Sequence, residues 1–233
     1  NKNVLKSDGT VNEGTFKEWT PIGNTCNGSY SPYTGIFEGQ NHTISGLYFK
    51  QENTSEVGFF GYNGGKISNV GILNSYFCGF SRVGGVCGYN SSTITNCYNK
   101  GVVDGTADAA GSFGGVCGCN LGILTNCYNT GIVSGQSYVG GIDGDNSGTI
   151  TNCNNEGKVS GTEDSVGGVS GDNNKTITNC YNTGIVSGQS YVGGVNGYNK
   201  NGTIINCYTT GEVNGTGSHV GGVIGMNLSN GTI

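Results

Sequence analysis

Five cysteines recur in this chain at nearly even separations: Cys97, Cys127, Cys153, Cys180 and Cys207 stand 30, 26, 27 and 27 residues apart. Ten cysteines in an exported protein would first suggest a disulfide framework. The even period points to other chemistry for this column. Residues stacked one repeat apart have Cα atoms about 4.8 Å apart and parallel Cβ vectors, so their Cβ atoms do not converge to the roughly 3.8 Å a disulfide needs. The column reads as a buried ladder of free thiols packing as small hydrophobes. Cys87, Cys117 and Cys119 read as outward-facing, which leaves a disulfide among them open, while Cys26 and Cys78 fall outside the repeat columns and stay unassigned. The only histidines, His42 and His219, have no CxxC partner for zinc, and no H-E-x-x-H occurs.

The acids and aromatics offer weaker chemistry. Asp143, Asp145, Ser147 and Gly148 imitate the opening of a calcium loop, and Asp172 on the neighbouring repeat would add a third carboxylate. The twelfth position is Asn154 instead of glutamate, and the same columns hold Tyr, Cys or Asn elsewhere. Solvated outer acids are therefore the favoured reading, and no cofactor is expected. Tyr98, Tyr128, Tyr181 and Tyr208 form an outward stripe interrupted by Asn154, a candidate ligand face for sugars that would equally serve to cover a sheet. Threonine pairs at Thr93 and Thr95, Thr149 and Thr151, and Thr176 and Thr178 resemble an ice-binding array, though threonine is also simply a good exposed strand residue. Arg82 is the only arginine and charged residues are few, so a groove of acids and bases for glycan cleavage is not expected and no catalytic residue is assigned.

These residues sit in a repeat. YVGGVNGYN at Tyr191 to Asn199 returns as YVGGIDGDN from Tyr138, SVGGVSGDN from Ser165, RVGGVCGYN from Arg82, SFGGVCGCN from Ser112 and HVGGVIGMN from His219. A looser copy, EVGFFGYN, starts at Glu56. Each is followed by a phrase like TITNCYNTG and then by one like IVSG. Fixed-period self-similarity marks a stacked architecture whose units cannot bury their apolar faces alone. Three short β-prone segments and three turns fill about 27 residues, one coil of a parallel β-helix, and no helical periodicity appears.

Variation between repeats separates inside from outside. Val103, Val133, Val159, Val186 and Val213 are invariant, whereas their predecessors include Lys158 and Glu212, so the valines point inward. Val86, Val116, Ile142, Val169, Val195 and Val223 form a second inner column, and Ile94, Leu124, Ile150, Ile177 and Ile204 a third. The column Cys87, Cys117, Asp143, Ser170, Asn196 and Ile224 varies in character and reads as solvent-facing. Two asparagine columns, Asn63 to Asn227 and Asn69 to Asn206, fit corners where left-handed backbone and rung-to-rung amide ladders are needed. One repeat is longer than the rest, with a loop-out from Thr106 to Gly111.

Composition agrees. Glycine is 47 of 233 residues but proline only 2, and charged residues are 11%, under half the usual share, which excludes collagen and disfavours disorder. The net charge of −5 comes with scattered lysines, so nucleic acid is not an expected partner. No apolar run suits a membrane span and no signal peptide is visible. Nine N-x-S/T sequons occur, as asparagine-rich repeats produce by chance. The final NGTI, Asn230 to Ile233, matches Asn201 to Ile204, so the chain is expected to be a fragment that stops in mid-repeat, with end-to-end self-association as one consequence.

The phrases V-G-G-hydrophobic-x-G-x-N, G-x-I-x-N-C and G-x-V resemble the GLUG repeats of bacterial surface proteins. WTPIG at Trp19 to Gly23 and YTGIFEGQNHTISGLYF at Tyr33 to Phe49 resemble the segment that often precedes them, with Glu38 where Asp is common. The resemblance implies an all-β, right-handed parallel β-helix on a secreted or wall-attached protein, in a family whose members accompany adhesins and immunoglobulin A peptidases. The expected organisation is a capping region and first coil over 1–45 and a repeat solenoid over 46–233. The expected function is a non-catalytic structural or adhesive segment acting outside the cell on a host or cell-surface glycan or protein. The alternatives are an accessory substrate-presenting module of a larger secreted enzyme and, third, an ice-binding face.

Overall fold

The structure, a computed structural model, describes residues 1–23, 31–105, 111–228 and 230–233. Cys26 and residues 106–110 of the expected loop-out lie outside the described residues. The described chain is all-β, a solenoid of about seven turns in which every coil pairs in parallel with the next. Val133 lies in register with Val159, and Val159 with Val186. Among the described residues the one antiparallel bridge, Leu5 with Val11, is in the amino-terminal segment. One sheet of seven short strands runs Phe60–Asn63, Cys87–Asn90, Cys117–Asn120, Asp143–Asn146, Ser170–Asn173, Asn196–Asn199 and Ile224–Asn227. The remaining segments form a second, larger sheet that folds around the core.

The three predicted inner columns are buried. Val103, Val133, Val159 and Val186 are solvent-free, as are Val86 to Val195 and Ile94 to Ile177 in their columns. In the last described coil Val220 and Val223 are 42% and 38% exposed. The first coils are filled differently, by an aromatic cluster in which Phe37, Phe59 and Phe60 meet edge to face at 4.7–5.5 Å. Residues 1–19 run along the outer side of the solenoid, where Val4 is buried against Tyr76, Cys78 and Val102. Cys78, unassigned from sequence, is buried there.

Both asparagine columns form ladders. Asn63, Asn90, Asn120, Asn146, Asn173 and Asn199 each donate Nδ2–H to the Oδ1 of the next coil's asparagine at 2.7–3.0 Å, ending at Asn227. The outer column runs the other way, each amide donating backward from Asn206 to Asn69. Its six members all sit at φ of 53–56°, the left-handed conformation that asparagine tolerates best after glycine. Asn69 closes this ladder on the Glu38 carboxylate, which Gln40 and Ser68 also contact. These hydrogen bonds, led by Asn69, hold Glu38 below the usual carboxylate range. A third ladder, Asn99, Asn129, Asn155 and Asn182, was not anticipated; it is fully buried and ends on Thr209. Its signal was the second asparagine of the N-C-Y-N phrase, two residues beyond the cysteine.

One column is corrected. Cys87, Cys117, Asp143, Ser170 and Asn196, expected to face solvent, are completely buried, and Cys119 is 7% exposed. The cause is a bulge at the V-G-G corner. The amides of Val116 and Cys117 both donate to the Ile142 carbonyl, at 3.0 and 2.9 Å, and Ile142 and Asp143 share the Val169 carbonyl in the same way. Two consecutive amides on one acceptor break the strict alternation of a strand, so neighbouring side chains both turn inward. The glycine that follows is required by close approach, since a Cβ on Gly144 would overlap the Phe113 amide nitrogen.

Candidate functional site

The thiol ladder is buried and free. Cys97, Cys127, Cys153 and Cys180 are solvent-free, Cys207 is half-buried, and every described cysteine is unbridged, including Cys87, Cys117 and Cys119. Backbone amides of Cys127, Cys153 and Cys180 each approach the sulfur of the next rung at 3.4 Å. Burial pushes the Cys97 and Cys153 thiols well above their ordinary range, which suits neutral packing groups, whereas hydrogen bonding with the Cys153 thiol shifts Cys127 and Cys180 the other way.

The acids divide. Asp143 is buried in the core between Cys117 and Ser170, with neither carboxylate oxygen partnered. It is not the solvated outer acid expected, and burial pushes its carboxyl well above the usual range. Asp145 and Asp172 lie side by side one rung apart, Asp145 half-buried and Asp172 buried, so neither is the freely solvated acid expected. Burial raises both, Asp172 to about 6. Among the described residues no group of three His, Cys, Asp or Glu side chains gathers to hold a metal ion, so Asp143, Asp145 and Asp172 do not form the calcium constellation.

The tyrosine column is a stack with a gap. Tyr98 and Tyr128 stand in register with their rings parallel, 4.5 Å between centroids and 8° between planes. Tyr181 and Tyr208 repeat this at 5.3 Å and 9°. The centroid separations match the rung spacing, so the rings stack along the solenoid axis. Gly71, in register with Tyr98, has its missing side chain replaced by that ring. Asn154 stands in register between Tyr128 and Tyr181, its amide turned to Glu156 at 3.3 Å. The facing rings are therefore two rungs apart, about 9.6 Å, while one planar ring between them would take up two contacts of about 3.5–4.0 Å each. The threonine pairs lie in register on the neighbouring segment, half-buried, with Ile123 and Ile205 interrupting them.

A second pair of columns was missed. The residue before each V-G-G is Glu56, Arg82, Tyr138, Ser165, Tyr191 or His219, all at φ of 51–62°. Bulky side chains seldom adopt that conformation. Alongside runs the column Tyr62, Tyr89, Cys119, Asp145, Asp172, Tyr198 and Met226. Arg82 pairs with Glu56 at 2.9 Å and lies 4.9 Å over the Tyr89 ring. Tyr191 contacts Tyr198 and His219, with centroids 5.4 and 5.1 Å apart. Only the variable position at the head of each repeat hinted at this surface.

The solenoid, its V-G-G corners and its asparagine ladders define a repeat protein of the β-helix class. Residues 81–104 match the GLUG motif, so the chain carries that repeat. Over 102 residues it is 33% identical to halomucin of Haloquadratum walsbyi (strain DSM 16790 / HBSQ001), a match covering 43% of this chain and 1% of halomucin. The fold is similar to that of a candidate immunoglobulin A1 protease from Bacteroides ovatus, with a TM-score of 0.63 and 24% identity, covering 83% of this chain and 64% of that one. The chain thus spans a small fraction of halomucin and under two thirds of the solved structure.

Proposed function

We propose that this solenoid is a non-catalytic adhesive segment of a surface or secreted protein, and that its ligand face is the tyrosine column. The observation that carries this reading is the gap at Asn154. Tyr128 and Tyr181 present one ring face each to a slot of one missing rung, with Asn154 and Glu156 at its base to meet hydroxyl groups. A pyranose ring of a surface glycan can enter such a slot, stacking on one of the two rings and hydrogen-bonding to Asn154. The names of halomucin and of the Bacteroides protein support a setting outside the cell.

The likeness to the Bacteroides protein favours a second reading, in which the segment presents substrate within a larger secreted enzyme. The same slot would serve it. The test is retention of the intact chain on an array of neutral and acidic oligosaccharides. Asn154→Tyr should complete the stack and abolish retention without loss of fold, and Tyr128→Ala should weaken it at least about tenfold. Undiminished retention by Asn154→Tyr would overturn the slot.

A further inference from the structure

Away from the tyrosine stack, Tyr138, Tyr191 and Tyr198 surround a cleft of about 270 Å³ whose rim also carries Ser137, Glu163 and Asp164. We propose that this cleft binds an organic cation, an alkylammonium group either free or on a lysine side chain.

The ring pair at the cleft is tilted and not stacked. Tyr191 and Tyr198 are inclined at 33°, forming a corner, whereas the stacked pairs of the other face are within 9° of parallel and cover one another. Tyr138 and Tyr191 both have φ of 51°, where a glycine or asparagine would be relaxed. The same left-handed φ recurs at Glu56, Arg82, Ser165 and His219, so both rings stand on the corner that the repeat imposes. Here the imposing structure is backbone: Gly171 and Gly197 pack so tightly against residues 138 and 191 that neither could carry a Cβ.

The charge around the cleft is predominantly negative, with Lys200 the cation that acts on Asp172 and, together with Arg82, on Asp145. Glu163 and Asp164 stand on the rim, and Asp172 is in register with Tyr198, with Asp145 one rung further. Asp172 is only 9% exposed, yet its Oδ1 has no partner. Among the described residues the ion pair formed is Arg82 with Glu56, so none of these four acids is neutralised by a salt bridge. Their side-chain hydrogen bonds come from neutral groups, the Ser137 hydroxyl to Glu163 at 3.3 Å and the Asn174 amide to Asp172 at 3.4 Å. Electron-rich ring faces beside unneutralised carboxylates favour a cation that is weakly hydrated, because it gains ring contact and charge together. A neutral sugar would gain only the first.

The experiment is calorimetric and NMR titration of the intact chain with choline, with its neutral isostere 3,3-dimethyl-1-butanol, and with N-acetyl-lysine-N-methylamide. Choline should bind and shift the tyrosine ring signals, and the neutral isostere should bind at least about tenfold more weakly. Tyr198→Ala should cost a similar factor. The surface double variant Glu163→Gln/Asp164→Asn, which leaves the packing intact, should weaken binding several-fold and flatten its salt dependence. Asn154→Tyr should leave choline binding unchanged, which separates this site from the tyrosine slot. Lysine amide binding as well as choline assigns the site to basic side chains of a protein; binding of choline alone assigns it to a free quaternary ammonium. Equal binding of the neutral isostere, silence toward both cations, or displacement of choline by maltose at the same rings would overturn the proposal.

Discussion

Two columns of this solenoid are equally buried and differ in every other respect. Ile67, Ile94, Leu124, Ile150 and Ile177 repeat one shape, while Phe60, Cys87, Cys117, Asp143, Ser170 and Asn196 change chemistry along the stack, with only the two cysteines alike. Both are solvent-free. In the first column each rung contributes the same apolar contact with its neighbours. In the second, polar members survive by bonding locally: the Ser170 hydroxyl donates to the Asp172 carbonyl at 2.7 Å, the Cys117 thiol to that of Cys119 at 3.2 Å, and the Asn196 amide to Ser170 at 2.9 Å. Asp143 finds no such partner. Variability along a column of stacked repeats therefore measures how many side chains can satisfy a site, not whether the site is wet.

The sharpest way to test that difference is to damage each column in turn. Ile150→Ala removes three carbons from a central rung with intact neighbours and should cost about 3–5 kcal/mol, read as a shift of the denaturation midpoint. A ladder defect should come next. Asn146 accepts from Asn120 and the Gly148 amide and donates to Asn173 and the Thr176 carbonyl. Asn146→Ala orphans several buried groups at once and should cost about 2–3 kcal/mol. A smaller cost than that of an exposed asparagine would break the view that this ladder is a structural spine.

The third prediction has the opposite sign. Burial holds Asp143 above the usual carboxylate range, so the folded state prefers its neutral form. Its contribution to stability is therefore complete below the ordinary carboxylate value and is lost as pH rises through the folded value. Asp172, raised to about 6, acts in the same direction. The protein should lose stability from about pH 4 to beyond pH 6. Asp143→Ser, which copies the residue in the next coil, should raise stability at neutral pH by about 1–2 kcal/mol and flatten that profile. Greater stability of the wild type at pH 7 than at pH 5 would contradict the assignment.

Much of this was legible in the sequence. The coil length, the parallel register, the three apolar columns and the left-handed asparagine corner follow from the spacing of Val159, Ile150 and Asn152, because a stacked repeat maps equal sequence steps onto equal positions. The bulge was not legible, since it depends on two amides sharing the Val169 carbonyl, a backbone event that no side chain announces. Nor was the cleft at Tyr138, whose members come from different rungs and whose Tyr138 and Tyr191 stand at the variable head position of the repeat.

The smallest effect separates conformation from bonding. Asn152 belongs to the exposed ladder, donating to Asn126 and accepting from Asn179 at 3.2 Å each, with φ of 53°. Exposed amide bonds exchange readily with water, so they should add little, whereas the left-handed backbone costs an ordinary L-residue about 1 kcal/mol. Asn152→Ala keeps the strain and loses the asparagine's tolerance of it, and should cost about 1 kcal/mol. Asn152→Gly loses the same bonds but relaxes the corner, and should lie within about 0.5 kcal/mol of the wild type. Equal losses in the two variants would mean that the outer ladder stabilises through its hydrogen bonds after all. It would then be the exposed counterpart of the Asn146 spine and not merely a row of well-chosen corner residues.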